Sequence, residues 1–166
     1  MPVNDARNRS QTLDLLYLCA RRELDRAALE KAQSLVATEI DWREFVDLAD
    51  AHHVVPLVSE SIKRLNLALP KDAVAELSQK STENLAASLE LVRELTKLAD
   101  LCAASNIDIL PIKGPILAEL IYGNMTLRQA GDLDILIRKT DRDKCLKLLI
   151  DCGYSVPLYP EGINVK

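Results

Sequence analysis

Two aspartates, Asp132 and Asp134, stand two positions apart at the head of an apolar run in LRQAGDLDILIRK, residues 127 to 139. The stretch LDILIR has the make-up of a buried strand, and side chains two apart on a strand share a face. Like charges held together raise each other's pKa and cost stability. A chain that carries such a pair must place it at a sheet edge or cleft, where something positive reaches both carboxylates. A divalent cation is the usual partner.

The rest of the chain gives that strand a setting. Its 166 residues, 48% of them hydrophobic, suffice for one ordinary domain, or one domain with a helical extension, and predict a packed core. The formal charge is −4; from Ile107 onward acids and bases balance at eight each, so the acid excess lies in the first 106 residues. Neither half is a basic surface that would hold nucleic acid by phosphate neutralisation, so generic nucleic-acid binding is disfavoured. Cys19, Cys102, Cys145 and Cys152 form no CxxC pair and read as buried thiols in a reducing compartment. MPVNDARNRSQ lacks an apolar signal region, and no apolar run approaches the ~18 residues of a membrane span, so the chain reads as cytoplasmic.

Residues 1–105 are expected to be a helical region. Ser10 is placed to cap a helix carrying Leu13, Leu16, Tyr17 and Ala20 on one side, and a second helix is expected from about Asp25 to Thr38. In IDWREF, Asp41 is an N-cap with Glu44 as its partner, while Ile40 and Phe45 form a hydrophobic staple. VPLVSESIKRL gives a short helix. A long one follows from about Asp72 to Ala104, with Val74, Leu77, Leu85, Leu89, Val92, Leu95 and Ala99 near helical spacing. Its polar middle, SQKSTEN, is a candidate kink or break.

Residues 106–166 change character. IDILPI reads as a strand ending at KGP, and PILAELIYG as a helix with Pro115 in its first turn. DLDILIR is the second strand, TDRDKCLKLLIDCG a helix capped by Thr140 and closed by Gly153, and YSVPLY begins a third strand. The fold class is therefore α+β, with α/β order in its second part: an N-terminal helical bundle, then a small mixed sheet with flanking helices, incomplete on its C-terminal side. Exposed edges on so small a sheet are a template for self-association.

Lys113 and Gly114 end one strand and feed a helix whose first amides are unpaired, an arrangement that attracts phosphate. Gly131 lets the chain turn into the strand bearing Asp132 and Asp134. Each part has a plainer reading: Gly114 as a turn residue, Lys113 as a solvated strand end, Asp132 as a turn cap, Arg128 as a structural ion-pair partner of either aspartate. His52 and His53, adjacent at a helix end, read as structural or capping residues. In combination, a phosphate cradle and an Asp-x-Asp clamp for Mg²⁺ or Mn²⁺ are the minimal parts of a phosphoryl-transfer site.

The run from LPIKGPILAELIYGNMTLRQAGDLDILIRK to LIDCGY resembles a bacterial family described as uncharacterised nucleotidyltransferases of the DNA polymerase β-like superfamily. Lys113, Gly114, Tyr122, Gly123, Arg128, Asp132, Asp134, Gly153 and Tyr154 carry the resemblance, and DWREFVDLADAHHVVPLV resembles the family's helical lead-in. It implies a nucleotidyltransferase-like sheet that binds a nucleoside triphosphate with two divalent metals and transfers a nucleotidyl group to an acceptor. Gly114 would approach the triphosphate, and Asp132 and Asp134 would be catalytic and hold metal. Lys113 and Arg128 are assigned as phosphate neighbours on charge alone. Pro115 stands where the superfamily commonly has Gly or Ser. The superfamily's third carboxylate has no counterpart on a later strand: Asp141, Asp143 and Asp151 belong to a helix or its start, and Glu161 to a turn. The expectation is the first part of a longer enzyme, or a shortened relative without full catalysis. The alternative is a non-catalytic, antitoxin-like or regulatory binding partner.

Overall fold

Aspartates mark two of the early helix starts. In the computed structural model, which describes residues 3–155, the Asp25 carboxylate accepts from the Ala28 amide at 2.8 Å and the Asp41 carboxylate from the Glu44 amide at 2.9 Å. They open α2 (Arg26–Val36) and α3 (Trp42–Ala51), which follow α1 (Val3–Cys19). The Glu44 carboxylate does not turn back to close the capping box; it pairs with Arg9 at 3.3 Å. Helices α4 (Val55–Arg64) and α5 (Lys71–Ala104) complete the N-terminal part. Beyond them come β1 (Ile109–Pro111), α6 (Gly114–Tyr122), β2 (Ile135–Ile137) and, after a single 3₁₀ turn at Lys139–Asp141, α7 (Arg142–Asp151).

Four helices stop in the same way. His53, Asn66, Asn106 and Gly153 follow the C-caps of α3, α4, α5 and α7 with φ of +57°, +51°, +50° and +88°. In each, the next amide reaches back to the last turn: Val54 to Ala49 at 2.9 Å, Leu67 to Ile62 at 3.1 Å, Ile107 to Cys102 at 2.8 Å and Tyr154 to Leu149 at 3.0 Å. This is the Schellman closure, with an apolar or aromatic residue just past each left-handed position. His53 thus has the capping role expected of it.

Two cores result. The larger joins α1 to α4 and the start of α5 around the fully buried Leu15, Cys19, Phe45, Val46, Val55 and Val58. Each such apolar side chain contributes about 1.5–3 kcal/mol on leaving water. Burial also pushes the Cys19 thiol up to about 12, the behaviour of an inert structural cysteine. The smaller core gathers Cys102, Ile107 and Cys145 with Ile109, Ile137, Leu148 and Leu149. Helix α5 belongs to both.

Several expectations are corrected. Ser10 lies inside α1 and caps nothing, since no glycine or proline between Val3 and Ser10 stops the helix upstream; Leu13 and Tyr17 face outward, and Leu15, Leu16, Leu18 and Cys19 face the core. SQKSTEN does not break α5, which runs 34 residues unbroken. It holds no glycine or proline, and its hydroxyls bond back within the helix, Ser81 to the Leu77 carbonyl at 2.7 Å and Thr82 to Ser78 at 2.9 Å. Leu85 and Leu89, expected on the inward stripe, are exposed, while Asn84 and Ser88 are buried in their place. Thr140 does not cap α7: it sits within the 3₁₀ turn, and the N-cap position falls to Asp141.

The sheet is antiparallel, with Ile109 opposite Ile137, Leu110 opposite Leu136 and Pro111 opposite Ile135. Alternation sends Ile109 and Ile137 into the smaller core and leaves Leu110 and Leu136 outward, 60% and 52% exposed. A mixed sheet would require the expected third strand, YSVPLY. Its Tyr154 and Ser155 are not in a strand, and residues 156–159 lie outside the described residues. Among the described residues no helix is long and apolar enough to cross a membrane.

Candidate nucleotide site

Strand pairing delivers the charged residues. The ladder continues one step past β1, where the Ile112 amide donates to the Asp134 carbonyl at 3.0 Å. Both aspartates therefore precede β2 proper, and Asp134 is fixed through its backbone. Lys113 follows with extended backbone, and its ammonium stands 3.1 Å from Asp134 Oδ2. Both side chains are partly exposed, so this ion pair is worth about 0–1 kcal/mol. It neutralises one of the two carboxylates.

Gly114 has φ +66°, a left-handed conformation that costs other residues about 1–2 kcal/mol. A Cβ built there would stand 3.5 Å from the Asp132 carbonyl oxygen and 3.9 Å from Ala130 Cβ. The helix start is thus packed against the aspartate-bearing segment. Pro115 has no amide hydrogen; the unpaired donors of the first turn are the amides of Gly114 and Ile116. Lys113, Gly114, Asp132 and Asp134 are brought together. Arg128 lines, with Asp132, a cavity of about 450 Å³ between α5 and the 128–132 segment. Among the described residues it makes no ion pair with either aspartate.

That segment is braced by residues that sequence reasoning passed over. The Asp50 carboxylate accepts from Lys80 Nζ at 2.6 Å and from Gln129 Nε2 at 3.3 Å. Gln129 Oε1 in turn accepts from the Val55 amide at 3.2 Å, serving a helix start whose N-cap, Val54, has no polar side chain. Asn84 donates to the Thr126 carbonyl at 2.7 Å, and Thr126 bonds to Asn124 through both its amide and its hydroxyl. Farther round, Arg22 donates to the Ile121 carbonyl in the last turn of α6 at 2.8 Å. The Lys80 hydrogen bond holds the Asp50 carboxyl below its ordinary range, against a smaller opposing effect of burial, and the same bond raises Lys80. A signal for Lys80 and Asn84 did exist, because SQKSTEN interrupts the apolar stripe between Leu77 and Leu95. Gln129 gave none.

Two carboxylates and an open helix start suit a divalent ion that arrives with its phosphates, because Mg²⁺ is typically bound by one or two carboxylates plus substrate oxygens. Among the described residues, no group of three or more His, Cys, Asp or Glu side chains is placed to hold a metal by itself. The donor set fits an ion shared with a triphosphate and does not fit a free-standing metal centre.

No curated protein and no solved structure matches this chain. A family model does, over residues 38–162, a span that takes in α3 to α7 together with both aspartates, the Gly114 helix start and the Asp50–Gln129 brace. The chain belongs to that family, described as uncharacterised nucleotidyltransferase.

Proposed function

We propose that the protein binds a nucleoside triphosphate with Mg²⁺ or Mn²⁺ and transfers its nucleotidyl group to an acceptor hydroxyl. The observation that carries this reading is the packing of left-handed Gly114 against the Asp132 carbonyl while Lys113 rests on Asp134. It joins anion-binding amides to a carboxylate pair. The α6 amides and Lys113 would receive phosphate oxygens, and Asp132 and Asp134 would hold the ion. When bound, that ion supplies charge neutralisation at the phosphates and lowers the pKa of the attacking hydroxyl. In the reaction the acceptor oxygen bonds to the α-phosphorus, the bond to the β-phosphate oxygen breaks, pyrophosphate leaves, and the hydroxyl proton passes to solvent. The residues of this chain act by holding the phosphates and orienting the carboxylates. Lys113 must release Asp134 for the ion to enter.

One observation favours a second reading, a binding partner that retains the fold without the chemistry: the described residues join no third ligand to Asp132 and Asp134. Calorimetry with a nucleoside triphosphate, with and without Mn²⁺, tests the first. Binding is expected only with metal, and Asp134→Asn should weaken it at least tenfold while the melting temperature changes little, since the fold loses only a partly exposed ion pair worth about 0–1 kcal/mol. Metal-independent binding, or an unchanged affinity in the variant, would sink the proposal. Metal-dependent binding without pyrophosphate release for any acceptor would select the second reading.

A further inference from the structure

The 450 Å³ cavity beside Asp132 falls within the range of small-molecule sites, and its walls are fixed in advance. Asn84 is tied to Thr126, Gln129 to Val55 and Asp50, and Asp50 to Lys80. These bonds settle the position of the 126–129 segment against α3, α4 and α5 before anything enters.

They also decide what the cavity has left to offer. Lys80 gives one of its three donors to Asp50, and each end of the Gln129 carboxamide holds one partner. Asn84 is only 7% exposed; its Nδ2 gives one hydrogen to Thr126, and its Oδ1 accepts from no group among the described residues. Glu83 and Asp132 add carboxylates, which are acceptors only when ionised. Glu83 receives a single bond, from Gln79 at 3.0 Å. The Asn84 oxygen and these carboxylates therefore ask the occupant for hydrogen-bond donors. An apolar ligand would strand the Asn84 oxygen, and a multiply anionic one would meet Glu83 and Asp132. Arg128, His53 and the remaining Lys80 donors, on the same lining, supply donors for a ligand's own oxygens. A hydroxyl does both, donating to one wall and accepting from the other with a single atom.

We infer that this cavity binds a small polyhydroxylated molecule, the size of one or two sugar rings, with a hydroxyl directed at Asp132. Its role as the nucleotidyl acceptor rests on the function proposed above; its occupancy does not. Asp132 borders both the cavity and the Gly114 helix start, so a hydroxyl beside it would lie next to the phosphates held there.

The test uses the ¹⁵N-labelled full chain without metal or nucleotide, titrated with glucose, myo-inositol and glucosamine to tens of millimolar. Amide shifts are expected to cluster at Asn84, Ala87, Gln129, Ala130 and Gly131. Glu83→Ala, which leaves every wall-fixing bond in place, should weaken the tightest of the three by roughly tenfold at unchanged melting temperature. Tighter glucosamine binding would place an amine at Glu83 or Asp132; equal affinities would assign recognition to hydroxyls alone. Shifts absent for all three sugars, shifts scattered elsewhere, or an indifferent Glu83→Ala would overturn the inference. Because no triphosphate is present, failure here leaves the Mn²⁺–triphosphate result standing, and the reverse also holds.

Discussion

Asp50 shows how one carboxylate can organise a neighbourhood through its hydrogen bonds. It binds Lys80 and Gln129, and through Gln129 it reaches the start of α4. Its pKa is lowered mainly by the Lys80 hydrogen bond, so its share of stability is present above the unfolded-state value of about 4 and is lost as pH falls through the lower folded value. Lys80 has the opposite sign: its raised pKa contributes stability below about pH 10.4, lost only as pH rises beyond that. Between these limits the pair is intact. Asp50→Asn should therefore lower the melting temperature near neutral pH, and the difference from the unaltered protein should shrink below about pH 4. Thermal melts across the acid range check this, and a difference that persists undiminished at pH 2 would show that Asp50 acts through something other than its charge. Neither Asp50 nor Gln129 stood out in the sequence, because a long-range brace has no local pattern. Asp132, Asp134 and Gly114 did stand out, because their spacing and their place at strand ends are local properties.

At the level of the elements, what could be read in advance follows the same divide. The Asp41 cap and the Gly153 stop were legible, since each depends on residues within one helical turn. The inward face of α5 was not. Apolarity pointed to Leu85 and Leu89, yet the buried residues there are Asn84 and Ser88, and the partner of Asn84 is polar backbone, the Thr126 carbonyl, and not a core. Ser88 is fully buried with its hydroxyl unpartnered among the described residues. The repeated left-handed stops allow a direct measurement at Asn106, which links α5 to β1. Asn106→Ala should cost about 1 kcal/mol, because alanine lacks the side chain that tolerates this conformation, and Asn106→Gly should be neutral or stabilising by a few tenths. Chemical denaturation of the pair of variants decides it. If alanine and glycine behave alike, backbone conformation at residue 106 is not what limits this stop.

Taken whole, the molecule is two cores on one axle. Helix α5, about 51 Å long at 1.5 Å per residue, buries Ala73 and Leu77 in the larger core and lends Cys102 to the smaller one. Between them it presents Asn84 to the segment that leads to the aspartates. A continuous helix fixes rotation as well as distance, so the angular setting of the candidate site relative to the helical half is written in the residue count between Leu77 and Cys102. One alanine inserted after Leu91 would turn everything downstream by about 100° and advance it 1.5 Å. The larger core should survive, while the Cys102 thiol, shielded in the unaltered chain, should react readily with an alkylating reagent. A seven-residue insertion, nearly two whole turns, should restore the facing but move the smaller core about 10 Å along the axis. Continued protection of Cys102 after the single insertion would mean that the two cores do not share a phase. On this account the length of α5 between the cores is a timing element: substitutions along its exposed side are free to accumulate, but insertions and deletions are confined to numbers that keep the two ends in step.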